Sequence, residues 1–140
     1  RRPLQVAAAS RALSASASAA KAGSSQVLPE HRHPPLGDYP GKAETLRGAW
    51  GHAYLYVPGS RASSPTVVRP VDRDRYFTAG REIVLGPGDQ VTLRPNTLHW
   101  FQAGPEGCVV WSFSSRAVDV EDVFTDPDIE RVTVITEEGR

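Results

Sequence analysis

From Glu30 onward the chain is written in short apolar–polar alternations broken by turn residues. Residues 49–57 (AWGHAYLYV) are aromatic and rich in β-formers, and Pro58-Gly59 stops the run. Further strands are expected at 75–78, 82–85, 90–93, 99–102 and 109–114, with one more at 132–136. Gly86-Pro87-Gly88-Asp89, Pro95-Asn96 and Gly104-Pro105-Glu106-Gly107 mark the turns between them. No long 3.6-residue periodicity appears. Short strands at this spacing predict an all-β antiparallel barrel or sandwich.

Residues 1–29 are different. Alanine and serine supply 15 of these 29 positions, and no acidic residue occurs before Glu30. So little bulky apolar content cannot build a core, and the stretch is expected to be a disordered, low-complexity leader ahead of one domain at 30–140. Its Arg/Ser-rich, acid-poor character also fits an organellar transit peptide, and its composition fits translation out of frame.

Sixteen basic and sixteen acidic residues cancel, so no charge imbalance points to nucleic acid. No apolar run reaches the roughly 18 residues of a membrane-spanning helix. Cys108, the single cysteine, lies in the apolar run CVVW and is expected to be a buried small side chain; one cysteine cannot form a disulfide within the chain, which fits a reducing, cytoplasmic setting.

Against this background a few polar residues stand out. His31 and His33 are two apart, so a strand would put both imidazoles on one face and Arg32 on the other. Pro34-Pro35 then forces a loop. Glu44 follows that loop, and His99 follows the Pro95-Asn96 turn. Three imidazoles and a carboxylate can hold a divalent metal with coordination positions left open for a small oxygen-bearing ligand. His52 is read as an ordinary surface or core histidine.

HxH, then Glu44, then six residues and Gly51, resembles the first cupin motif, with a long loop between His33 and Glu44. Gly88 to His99 resembles the second motif, with Asn96 in a glycine slot, which suits a residue tolerant of positive φ. PEHRHPP, GKAETLRGAWGHAYLYV, PGDQVTLRPNTLHWFQAGPEG and FSS…DVFTDPDI together resemble the short D-lyxose isomerase family of cupins, over nearly all of residues 26–131. The resemblance implies a cupin fold (a double-stranded β-helix, or jelly-roll barrel), here lacking its N-terminal strands because the similarity starts near Gln26. That abrupt start favours a frame error or truncated gene over a transit peptide. The resemblance further implies metal ligands His31, His33, Glu44 and His99. The expected ion is Mn²⁺, with Zn²⁺, Co²⁺ or Fe²⁺ as alternatives, and the expected assembly is a homodimer. The implied reaction interconverts D-lyxose and D-xylulose, or D-mannose and D-fructose.

Such a reaction moves hydrogen between C1 and C2 through an enediol and needs an acid/base beside the metal. Glu44 is the catalytic carboxylate candidate. Lys42, two residues before it, is expected to share its face and contact a substrate oxygen. Tyr54 and Tyr56 are expected to line the sugar pocket, with core packing as their other role; Arg47 and Glu82 are weaker candidates. Trp100 and Phe101 are expected to pack the core or rim. One departure matters: Ser112 stands where the family tends to carry a glutamate, and serine is no comparable base. Either another carboxylate acts or catalysis is impaired. Two further readings stay open, another metal-dependent cupin enzyme such as a non-haem iron oxygenase, and a sugar-binding cupin without turnover.

Overall fold

The computed structural model describes the backbone of residues 14–20, residues 28–116 and residues 119–129. Among these the regular structure is almost all strand: β1 (Ser14–Ala20), β2 (Leu28–Arg32), β3 (Glu44–Val57), β4 (Arg81–Leu85), β5 (Gln90–Leu93), β6 (His99–Ser114) and β7 (Val123–Phe124). Every pairing is antiparallel. The two long strands, β3 and β6, lie side by side. β4 and β5 share the outer edge of β3, and β2 and β1 share the outer edge of β6, with β7 beyond β2.

Strand β3 begins at Glu44, five residues before the aromatic run, because Glu44 to Arg47 pair with β5 on one side and with β6 on the other. The turn expected at 104–107 does not divide β6. The chain stays extended there, but its pairing with β3 slips from Gly51↔Cys108 to Ala53↔Ala103. Two glycines make the slip possible. Gly51 has φ +64°, and a Cβ there would lie 2.1 Å from the carbonyl oxygen of Gly107, whose own φ is +87°. Residues 75–78 are not a strand: Val71–Tyr76 forms a 3-10 helix. Its turns are closed by Arg73 N–H to Pro70 O (3.1 Å) and Phe77 N–H to Asp74 O (3.1 Å), local bonds that outcompete the weak strand pattern.

Residues 14–20, within the stretch read as a leader, run along β6 with Ser14 opposite Ser114 and Ala20 opposite Cys108. Ladder hydrogen bonds use the backbone, so a Ser/Ala alternation can fill the slot without bulky side chains. Residues 1–13 and 21–27, and the strand expected at 132–136, lie outside the described residues.

Two apolar clusters flank the β3–β6 pair. Leu46, Ala53, Leu55, Val57, Leu85, Leu93, Cys108 and Val110 form the interior, with Phe101 packed against them. On the opposite face Tyr56, Val67, Phe77, Ala79 and Trp100 form a second cluster. Trp100 and Tyr56 stack there with centroids 3.9 Å apart, a contact of the kind that contributes about 0.5–1.5 kcal/mol beyond area burial. No helix among the described residues is long and apolar enough to cross a membrane.

Candidate metal centre

Strand pleat and register bring the histidines together. His31 of β2 is directly opposite His99 of β6, and their rings are 4.3 Å apart. A register shift between Leu28 and His31 sets this pairing, at a point where Pro29 has no N–H to give a ladder. His33 lies just past the end of β2 on the same side, its ring 5.1 Å from that of His31 and 5.3 Å from that of His99. One ring nitrogen from each of the three lies within 4.8 Å of the others, and all three residues are buried.

The loop that follows is held against this cluster. Gly41 (φ +97°) passes so close that a Cβ would sit 2.7 Å from the His33 carbonyl oxygen. Asn96, at φ +62°, donates its N–H to the same carbonyl (3.1 Å), while its side-chain oxygen accepts from Arg32 (2.7 Å). Thus the asparagine in the glycine slot adopts the left-handed conformation and also ties the His99 turn to the HxH strand. The loop ends by delivering Lys42 and Glu44, both buried.

Glu44 closes the cluster. Its Oε2 lies 3.1 Å from His33 Nε2 and 3.4 Å from His99 Nε2, while Oε1 accepts from the Ser112 hydroxyl. Burial alone would push this carboxyl up. The hydrogen bonds from His33, His99 and Ser112, with the charge of Lys42, outweigh it and hold the group well below the usual carboxylate range.

The outward nitrogens decide what the cluster can do. Nδ1 of His31 meets the Pro29 carbonyl at 2.9 Å, Nδ1 of His99 meets the Thr97 carbonyl at 2.9 Å, and Nδ1 of His33 meets Asp122 Oδ1 at 2.5 Å. All three partners accept, so each Nδ1 carries a proton and Nε2 is the nitrogen left to face the cluster. For His33 and His99 that nitrogen meets the Glu44 carboxylate. Electron-pair donors converging on one point require a cation, and for His31 it is poorly served by a proton: burial, then the neighbouring His99, push its pKa down to about 3. Ring nitrogens with their second nitrogen pinned, plus a carboxylate, are the donor set for a divalent transition metal.

The other sequence candidates are placed elsewhere. Tyr54 and Tyr56, expected to line the pocket, point away from it. Leu55 between them enters the interior, so the pleat turns both tyrosines to the opposite face with Trp100. Glu82 is there too, accepting from the Tyr56 hydroxyl and from Thr66 (N–H 2.8 Å, hydroxyl 2.8 Å). Arg47 is exposed. Trp100 is buried in that second cluster, its indole N–H bonded to the Ala79 carbonyl at 3.0 Å, while Phe101 packs on the interior. Cys108 is buried as expected.

Three contributors escape a reading of the sequence. Asp122 lies in the acidic, turn-rich stretch that begins at Asp119, with no motif that marks it as a histidine partner. Phe124 packs its ring 5.7 Å from that of His31. Glu30 is fully buried on the far side of β2, accepting from Thr78 N–H (2.7 Å) and hydroxyl (2.9 Å), Ala79 N–H (2.7 Å) and the Thr125 hydroxyl (2.7 Å). The one signal for Glu30 is its place next to HxH, where strand alternation puts it on the face opposite the histidines.

Comparison with known proteins places these features in a family. Residues 58–140 match the family model for D-lyxose isomerase. A D-lyxose ketol-isomerase of Thermofilum sp. is 56% identical over 110 residues, 79% of this chain and 61% of the relative. A D-lyxose/D-mannose isomerase of Thermosediminibacter oceani is 51% identical over 110 residues, with the same 79% and 61% coverage. The chain thus spans about 61% of the length of these curated relatives. Among solved structures, L-ribose isomerase of Cellulomonas parahominis with L-ribose superposes with a TM-score of 0.64 at 16% identity, covering 82% of this chain and 59% of that one. The fold is the all-β cupin, or double-stranded β-helix, fold. By its sequence match and by its fold, this chain belongs to the D-lyxose isomerase family.

Proposed function

We propose that the protein is a metal-dependent aldose–ketose isomerase acting on D-lyxose and D-xylulose, with D-mannose and D-fructose as a second pair. The carrying observation is the inward convergence of three imidazoles and Glu44 with every outward Nδ1 already bonded. His31, His33, Glu44 and His99 would hold the ion, with Mn²⁺ the expected metal and Zn²⁺, Co²⁺ or Fe²⁺ alternatives. A bound divalent ion supplies a Lewis acid that polarises the sugar's C1 and C2 oxygens and steadies negative charge on them.

The chain's own groups do the rest. Lys42, buried beside Glu44, is assigned to donate a hydrogen bond to one of these oxygens, favouring the enediol formed when the C2 proton leaves. Glu44 is kept ionised by its neighbours, which suits a ligand. The C2 proton passes to Glu44 and from it to C1; the same acidity makes Glu44 a weak base, so this transfer is expected to be slow. The sugar is the only small-molecule partner in this reading, in a homodimeric, cytoplasmic protein.

The Ser112–Glu44 contact favours a second reading, a sugar-binding cupin whose turnover is impaired, because a hydroxyl occupies the slot where the family tends to carry a carboxylate. Incubating Mn²⁺-loaded protein with D-lyxose separates the two. Formation of D-xylulose supports the isomerase; sugar binding without turnover supports the impaired cupin. Oxygen uptake with Fe²⁺ and no isomerisation would instead support an oxygenase.

A further inference from the structure

Of the four inward-facing groups, His33 has the least regular support. It lies beyond the last residue of β2, and its carbonyl is tied to the Asn96 turn rather than to a strand. His31 and His99 are oriented by backbone carbonyls two residues before them in their own chain segments. His33 is oriented by a side chain 89 residues away, Asp122, at 2.5 Å.

That side chain arrives on a segment fastened to the same strand at consecutive points. Val123 and Phe124 pair with Arg32 and His31. Thr125 donates its N–H to the Glu30 carbonyl (3.0 Å) and its hydroxyl to the Glu30 carboxylate (2.7 Å). Asp126 then meets Arg73 at 2.6 Å, fixing the far end. Each residue from Asp122 to Thr125 therefore touches one residue from Glu30 to His33, in antiparallel order.

We infer that Asp122 is a positioning residue of the metal centre: its carboxylate, held by the strap at 122–126, fixes the Nδ1–H tautomer and the ring orientation of His33. The inference rests on the metal-centre reading above. A carboxylate accepting from the outer nitrogen of a ligand histidine makes its inner nitrogen a stronger donor, and removing such a partner typically weakens metal binding by about 10–100-fold.

The test compares wild type, Asp122→Asn and Asp122→Ala. In metal-free protein, ¹⁵N NMR of the imidazoles reads the tautomers. Asp122→Ala is expected to lose or shift the hydrogen-bonded Nδ1–H signal of His33 alone, with His31 and His99 as internal controls. Asp122→Asn keeps an oxygen acceptor and is expected to retain it. Mn²⁺ binding, followed by the free-ion EPR signal, is expected to weaken about 10–100-fold in Asp122→Ala and less in Asp122→Asn. A folded Asp122→Ala variant with an unchanged His33 tautomer and Mn²⁺ binding within about twofold of wild type overturns the inference. If that variant does not fold, Asp122→Leu, of similar size but with no acceptor, showing an unchanged His33 Nδ1–H signal and Mn²⁺ binding within about twofold of wild type overturns it. Wild type that binds no Mn²⁺ overturns the metal-centre reading and this inference together, whereas the variant results overturn the inference alone.

Discussion

Ser112 donates a hydrogen bond to Oε1 of Glu44 while the other oxygen of the same carboxylate faces His33 and His99. The hydroxyl thus occupies the side of Glu44 that is turned away from the histidines. It helps hold a buried carboxylate ionised, but it cannot take up a proton from carbon.

Removing that donor should be felt in stability first. Ser112→Ala is expected to cost about 1.5–3 kcal/mol, the range for a hydrogen bond to a charged group, measured by urea unfolding of the metal-free protein. A change near zero would mean that the contact contributes nothing to holding Glu44.

Lys42 should separate binding from turnover. Lys42→Ala is expected to lower kcat for D-lyxose about 100-fold, the scale of losing one hydrogen-bond donor to a developing oxyanion. Mn²⁺ affinity should stay equal or rise, because a positive charge beside the ligands has been removed. Weaker Mn²⁺ binding with unchanged kcat would show that Lys42 supports Glu44 and not the sugar.

The metal-free protein should lose stability on the acid side. In the native state the pKa of His31 is held down to about 3, against an ordinary value of 6.5. Between those values the unfolded chain takes up a proton that the native chain refuses, so this contribution is full above about 6.5 and lost as pH falls toward 3. Glu44, also lowered, acts in the same direction below its ordinary value of 4.5. Thermal melts of chelator-treated protein should therefore show a Tm that falls from about pH 7 to pH 5 and is higher with saturating Mn²⁺. A Tm that rises on acidification would contradict the placement of His31.

Two glycines with positive φ should respond differently to alanine. At Gly37 (φ +53°) an added methyl would have nothing within 4 Å, so Gly37→Ala should cost only about 1 kcal/mol of backbone preference. At Gly51 the methyl would meet a carbonyl oxygen at 2.1 Å, and the backbone of the β3–β6 slip must move. Gly51→Ala should cost about 3 kcal/mol or more by urea unfolding. Equal costs would mean that the slip is not tightly packed.

Much of this is legible in the sequence, for identifiable reasons. HxH on a strand, a turn ahead of His99 and an asparagine in a glycine slot are local patterns, and local geometry carries them into the structure. Lys42 and Glu44, two residues apart, are both buried, in keeping with the two-residue repeat of an extended chain. The same rule carried along β3 from Glu44 sends Tyr54 and Tyr56 toward the pocket, but the register shifts against β6 between Gly48 and Ala53 turn the later residues over, which periodicity alone does not reveal. Residues 75–78 lose their strand to short-range turns around Asp74. Asp122 and Glu30 are invisible as partners because their roles rest on contacts across 89 and about 48 residues of chain, and acidic residues in a turn-rich stretch look solvated until the fold buries them.

The most direct measurement of the central claim is equilibrium dialysis of the protein against Mn²⁺, with His99→Ala and Glu44→Gln alongside. Tight binding of one ion per chain by wild type is predicted, with far-UV CD unchanged in both variants and their affinity reduced by more than the loss of an outer partner, typically about 10–100-fold, would cause. Wild type that binds no ion, or variants that bind as tightly as wild type, would contradict it.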